Sequence, residues 1–341
     1  MSSTVQKVLV VGAGPSGLIS ALTLLQNGVP VRIIAKEENF RMGQRGAGIS
    51  PRTLEIYKFL GVKEVLDKSV YLFDILQHAK GSLEVTNVVR MNPWVDSTPS
   101  TPWVRPHPEF CVVPVCSHIL SQGTFLSMGQ DSAERILRSH LARYGCEVEL
   151  GTSLSAFKQD KDHVTGTLVK SVDGEDHIEE FEVDWLIGAD GARGKAIFFE
   201  NRCPSLTQKT QGVTRKALGL TFLGESRQNE NLVIVDLQIK GLSTANWHQW
   251  GDRNAQILII KPNENPRSDV FQAVIFGPQV NHVKLSTEPT ALRAFLAEQS
   301  GMPTNAFGAI YAVADYRPQF RMVDKFGEGR VFVVGGMFVK F

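Results

Sequence analysis

Residues 7–37 read KVLVVGAGPSGLISALTLLQNGVPVRIIAKE, and the fold turns on how they are read. Lys7 to Val11 is the apolar, β-branched run of a buried strand, and it passes directly into Gly12, Gly14 and Gly17 at GxGxxG spacing. Pro15 suits the first turn of a helix, Ser16 stands beside it, and Leu18, Leu22 and Leu25 share one helical face. Gly28 ends that helix, and Val31 to Ile34 forms a second strand. The glycines have separate tasks: Gly12 allows the tight turn, Gly14 lets a pyrophosphate approach the backbone, and Gly17 lets helix and strand pack closely. Free amides at the helix N-terminus complete an anion site, so the segment predicts dinucleotide binding, with Pro15 and Ser16 assigned to the cofactor alongside the glycines. The pattern asks for a carboxylate at the end of the second strand to take the ribose hydroxyls, yet Ala35 stands there. Either Glu37 or Glu38 substitutes for it, or both are solvated surface charges.

A chain of 341 residues that is 43% hydrophobic can bury one large core or two modest ones, and its length favours two domains. The formal charge of +1, with both signs interspersed, offers no basic stripe for a nucleic acid and no polybasic membrane anchor. No apolar run approaches the roughly 20 residues of a membrane span. The opening MSSTVQK leads straight into a strand without a signal-peptide core, so the expected location is cytoplasmic. Cys111, Cys116, Cys146 and Cys203 lack the paired short spacing of a zinc site and are expected to be thiols, with no metal and no disulfide.

Three later segments choose among dinucleotides. RMGQRGAGISPRTLEIYKFLGV (41–62) carries a glycine-flanked Arg45 and then a helix from near Pro51. GQDSAERILRSHLARYG (129–145) places Asp131 and Glu134 at capping-box spacing, with Ile136, Leu137 and Leu141 on one face. FEVDWLIGADGARG (181–194) runs as a strand into Asp190-Gly191. In this order, and over nearly the whole chain, these residues resemble the flavoprotein monooxygenases of the para-hydroxybenzoate hydroxylase and phenol hydroxylase type, most closely the fungal aromatic-ring hydroxylases. The resemblance implies noncovalent FAD, with Gly12, Gly14 and Gly17 at the pyrophosphate and Arg45 also near the phosphates. It further places Gln130 along the ribityl chain and Asp190-Gly191 in a second flavin motif. It implies NADPH or NADH as electron donor, molecular oxygen and a small aromatic, phenol-like substrate, and it leaves a homodimer open. Phenol hydroxylases carry an acid in the loop after Arg45; the matching position here is Ala47, and no catalytic base is assigned.

The expected architecture is α/β. A Rossmann-like FAD-binding domain takes residues 1–80, 124–194 and 319–341, and a second, α+β substrate domain on a mainly antiparallel sheet takes 81–123 and 213–318. ENLVIVDLQIKG (230–241), AQILIIKP (255–262) and DVFQAVIFG (269–277) read as its strands. NWHQW (246–250) reads as a packed turn, with a pocket-facing His248 as the alternative, and Tyr316 and Arg317 are candidate pocket residues.

Two places depart from the family pattern. The strand GRVFVVG (329–335) is followed by Gly336 where the family has an Asp that leads into a helix. Residues 195–212 interrupt the second motif; without them DGARGVTRKALG restores the family spacing, with Arg215 as its second arginine. Codons for Gly194-Lys195 and for Gly336-Met337 can hold splice-donor sequences, so the sequence reads as translation through retained introns and as a truncated form. FCVVPVCSHILSQ (110–122) is a third such segment with weaker boundaries; an ordinary loop insertion and a natural terminus are the alternative. The functional expectation is an FAD-dependent aromatic monooxygenase. The alternatives are another FAD-dependent reductase or epoxidase on the same fold, or an inactive product that binds no flavin.

Overall fold

The computed structural model describes residues 7–335 apart from 72–73, 91–93, 96–122, 125, 173, 192–212, 226–230, 253, 266–267 and 318–319. The segments 110–122 and 195–212, the end of the chain from Gly336, and Cys111, Cys116 and Cys203 therefore lie outside the described residues. Contacts divide the chain into two units, one of Met1–Arg41, Glu134–Arg227 and Pro318–Phe341, the other of Met42–Ala133 and Gln228–Arg317. Set beside the boundaries drawn from motifs, this division moves 42–80 and 124–133 into the second unit and 213–227 into the first. The cause is long-range pairing: Ile75–His78 joins the sheet of the second unit, while the Val213–Ala217 helix starts at the end of a strand of the first.

The first unit is built on a sheet in the order Val148–Glu149, Val31–Ile34, Val8–Val11, Trp185–Gly188, Val331–Val333 and Gly327–Glu328. All neighbours are parallel except the last pair. Val8 to Val11 are all buried, which is why the strand reads as a continuous apolar run and not an alternating one. The Pro15–Gln26 helix buries Leu18, Ala21 and Leu22 completely, and Gly28 closes it in the left-handed region at φ +74°. Leu9, Val11 and Leu186 share a core with Leu154, Val164, Leu168 and Phe181 of an antiparallel meander, Thr152–Gln159, Val164–Val172 and Glu175–Val183. Arg32 ties three strands together, binding Glu149 through two bonds of 2.7 Å and Glu179 at 2.5 and 2.9 Å.

The second unit carries a seven-stranded sheet in the order Phe307–Tyr316, Leu232–Ile239, Val270–Phe276, Gln256–Pro262, Trp247–Asp252, Ile75–His78 and Val85–Val89. Only the pairing of Trp247–Asp252 with Ile75–His78 is parallel. Val233, Val235, Leu237, Leu258, Ile260, Phe271, Ala273 and Ile275 form its core with Leu292 and Leu296 of the Pro289–Ser300 helix. The three expected strands of this sheet are present.

NWHQW is a correction: from Trp247 it is a strand, not a packed turn. Its partners are Ile75–His78 on one side and Gln256–Pro262 on the other, and the first of these is too far away in sequence to be visible in five residues. Alternation puts His248 and Trp250 on the core side, where His78 stacks on Trp250 at 4.6 Å and bonds to His248 at 2.9 Å. Tyr316 ends the edge strand, and Arg317 beyond it pairs with Asp315 at 2.7 Å. No helix among the described residues is long and apolar enough to cross a membrane.

Candidate functional site

In the first unit the three glycines of the turn divide into two kinds. A Cβ on Gly12, whose φ is +108°, would lie 2.4 Å from the Ala189 carbonyl oxygen, and one on Gly17 would lie 1.9 Å from that of Gly12. Both are demanded by backbone packing before any ligand is considered. Gly14 has an ordinary φ of −75° and nothing within 4 Å of its Cβ position. It is the N-cap of the Pro15–Gln26 helix, and no side chain caps the first amides. The chain therefore keeps a clear space in front of a positive helix end, which a side chain at Gly14 would fill; this fits a pyrophosphate.

Around this turn, Ala35 is buried and its backbone is bonded to Glu149 and Thr152. Glu37 is half-buried and paired with Arg41; burial pushes its carboxyl upward, but the Arg41 hydrogen bond and charge outweigh this and hold it below the usual range. Glu38 is exposed. Asp190 follows the Trp185–Gly188 strand, and its carboxylate accepts the Thr214 N–H at 3.3 Å, at the start of the Val213–Ala217 helix. Burial drives the Asp190 carboxyl upward against the amide bonds that favour its charged form. Gly191, next to it, has φ +71°.

Arg45 and Gln130 belong to the second unit, where the loop 43–46 is gripped through its backbone. Gly43 donates to Asp131 at 3.0 Å, Gln44 donates to Asp236 at 2.8 Å, and the Arg45 carbonyl accepts from Gln272 Nε2 at 3.2 Å. The Gln130 N–H donates to the Gln44 carbonyl at 2.9 Å, so this unit brings the two predicted residues together. Among the described residues Arg45 is the only non-glycine with positive φ, at 44°. The capping-box expectation is corrected: the helix begins at Gln130, and Asp131, inside its first turn, binds the amides of Gly43 and Ser132. The group at this helix start is instead Glu264, which accepts from the Gly129 N–H at 3.2 Å and from the Ser132 hydroxyl at 2.5 Å. A distant acceptor has replaced the local one.

Sequence reasoning missed the residues doing the gripping. LVIVDLQI, QILIIKP and VFQAVIF carry Asp236, Lys261 and Gln272 among apolar neighbours, and register sets these three side by side in one row across the sheet. All three are buried, as is Gln44, whose Oε1 accepts from Lys261 Nζ at 3.1 Å. Burial pulls Lys261 down to about 8 against the raising charges of Asp236 and Glu264, and among the described residues its hydrogen bond is to Gln44 and to neither carboxylate. Burial likewise pushes the Asp236 carboxyl up, opposed mainly by the Gln44 N–H. The signal available was a charged or amide side chain at a buried position of each of three largely apolar strands.

A family described as "FAD binding domain" matches residues 5–198. The chain belongs to this family. A flavin-dependent monooxygenase of Mycobacteroides abscessus is 26% identical over 329 residues, 96% of this chain and 61% of that protein. A pentachlorophenol 4-monooxygenase of Sphingobium chlorophenolicum is 24% identical over 333 residues, 96% of this chain and 52% of that protein. The chain thus spans little more than half the length of these curated relatives. The structure of the flavin-dependent monooxygenase PieE in complex with FAD and substrate superposes with a TM-score of 0.72 at 19% identity, over 98% of this chain and 53% of that one, a likeness of fold.

Lys261 yields a pH-dependent expectation. Its folded value of about 8 lies below the ordinary 10.5, so the folded chain binds this proton less tightly than the unfolded chain does. The penalty, about 3 kcal/mol, is complete below pH 8 and is relieved as the pH rises toward 10.5. Lys261→Met should therefore melt above the parent at pH 7, with the advantage fading by pH 10. Thermal melts at the two pH values check this.

Proposed function

We propose that this chain is the flavin-binding part of an FAD-dependent, NAD(P)H-consuming monooxygenase that hydroxylates a phenol-like aromatic. The observation that carries the reading is the open Gly14 position before an uncapped helix N-terminus, in a chain of the FAD-binding family. In this reading Gly12, Gly14, Pro15, Ser16 and Gly17 form the pyrophosphate turn, Glu37 stands at the ribose, and Asp190 with Gly191 borders the cofactor. The resemblance adds Arg45 at the phosphates and Gln130 along the ribityl chain. Support for an aromatic substrate comes from relatives such as the pentachlorophenol monooxygenase. Bound FAD would supply the redox and oxygen chemistry; the residues of this chain hold it, orient the substrate and keep water out.

The two kinds of glycine give a clean test. Gly14→Val should fold like the parent and bind FAD on the order of a hundredfold more weakly, because its side chain occupies only the pyrophosphate space. Gly17→Val should lose on the order of 3 kcal/mol of stability through backbone overlap. Flavin-fluorescence titration beside thermal melts separates the two, and equal FAD affinity in parent and Gly14→Val would sink the assignment. The FAD-loaded chain should also oxidise NADPH or NADH faster when a phenol is present; consumption indifferent to phenols would favour a reductase.

The reading of 195–212 as intron-derived is supported by one contact among the described residues. The Asp190 carboxylate holds the Thr214 N–H, so the second motif closes across the interruption with Arg215 in its place. Sequencing the mature transcript across codons 194–213 should show the segment absent; its uniform presence would make it a true loop.

A further inference from the structure

The row on the sheet of the second unit contains more hydrogen-bond donors than acceptors. An ammonium carries three N–H groups, and among the described residues the one acceptor bonded to Lys261 is Gln44 Oε1. Gln44 Nε2 is buried with no partner among the described residues, and the amide cannot be reversed, since that would set its NH2 against the ammonium. The nearby carboxylates are already engaged. Asp236 accepts from the Gln44 N–H and from Gln272 Nε2 at 3.3 Å, and Glu264 accepts from Gly129 and Ser132. The Trp247 ring lies 5.9 Å from Lys261 Nζ. Lys261 and Gln44 are only 5% and 6% exposed, so bulk water does not satisfy them.

A buried cation with no carboxylate against it is costly, and such groups are kept where the chemistry of a site uses them. The missing partner must be an acceptor oxygen, and the aromatic face of Trp247 favours one carried on a ring. An anion from solution is a poor candidate, because the charges of Asp236 and Glu264 already act on the point. A neutral phenol meets no such barrier. We propose that Lys261, aimed by Gln44, is where the second unit binds the hydroxyl oxygen of a phenolic substrate, and that its ammonium holds that oxygen as the phenolate. The step breaks the phenol's O–H bond, its proton passing to solvent, and leaves a phenolate beside the ammonium; no oxidant is needed. The ligand class rests on the function proposed above; the residue assignment rests on the donor count.

The test uses the full chain, with and without FAD, and 4-nitrophenol as the probe, whose phenolate is yellow. The parent should bind the probe and turn it yellow at a pH where the free probe is mostly protonated. Lys261→Met should bind it about tenfold or more weakly and leave it colourless, as expected for loss of a charge-assisted hydrogen bond, while FAD affinity is kept and stability does not fall. Lys261→Gln retains a donor without the ammonium charge, so it should bind the probe without ionising it, and it serves if the methionine variant does not fold. A merely structural lysine would lose stability on replacement and leave the probe's colour alone. The proposal is overturned if the parent does not bind the probe or binds it without ionisation, or if both variants behave like the parent; the two donors would then face buried water. An FAD-free chain that still ionises the probe, with no FAD affinity and no NADPH use, would remove the flavin reading and leave this site standing. Normal FAD binding and turnover with unchanged Lys261 variants would do the reverse.

Discussion

The first unit depends on one backbone contact. The turn after its first strand brings Gly12 against Ala189 and Gly17 against Gly12 more closely than any Cβ would permit. That contact seats the Pro15–Gln26 helix on the sheet with its first amides turned outward, and it sets Gly12 next to the strand end that carries Asp190. The anion site follows from the packing: two glycines are spent on bringing the backbones together, and the third keeps clear the space this creates.

The second unit faces the opposite problem, a polar loop held over a mostly apolar sheet. Asp236 and Gln272 hold the backbone of Gln44 and Arg45, and Lys261 holds the Gln44 side chain. Arg45 is thereby kept in a left-handed conformation that costs a non-glycine residue roughly 1–2 kcal/mol. An unpaired lysine is an expensive way to secure a loop, since an apolar residue there would spare the burial penalty. Strain at Arg45 and cost at Lys261 in the same few ångströms of structure mark the loop as a place where stability is given up for something other than folding.

The nucleotide turn was legible because its determinants are local. Strand, glycine spacing, Pro15 and the closing Gly28 fall within thirty residues, and each imposes a backbone condition that the structure meets. The strands of the second unit were legible for the same reason, since an apolar run between breakers specifies itself. Where the expectation failed, a distant residue had intervened. Glu264 took over the helix start that Asp131 was expected to cap, and Ile75–His78 made a strand of what looked like a turn at NWHQW.

By itself the sequence determined that a dinucleotide turn opens the chain, that it leads a parallel sheet, and that a second, antiparallel sheet follows, because periodicity and glycine spacing act over a few residues. Only the tertiary structure decided that Asp236, Gln272 and Lys261 stand in one row. Each sits in a different strand, and nothing local sets the register between strands that lie up to 36 positions apart. Nor does any local rule place Gln44 over that row, 217 residues before Lys261, where burial alters the chemistry of a lysine that in sequence is one of many.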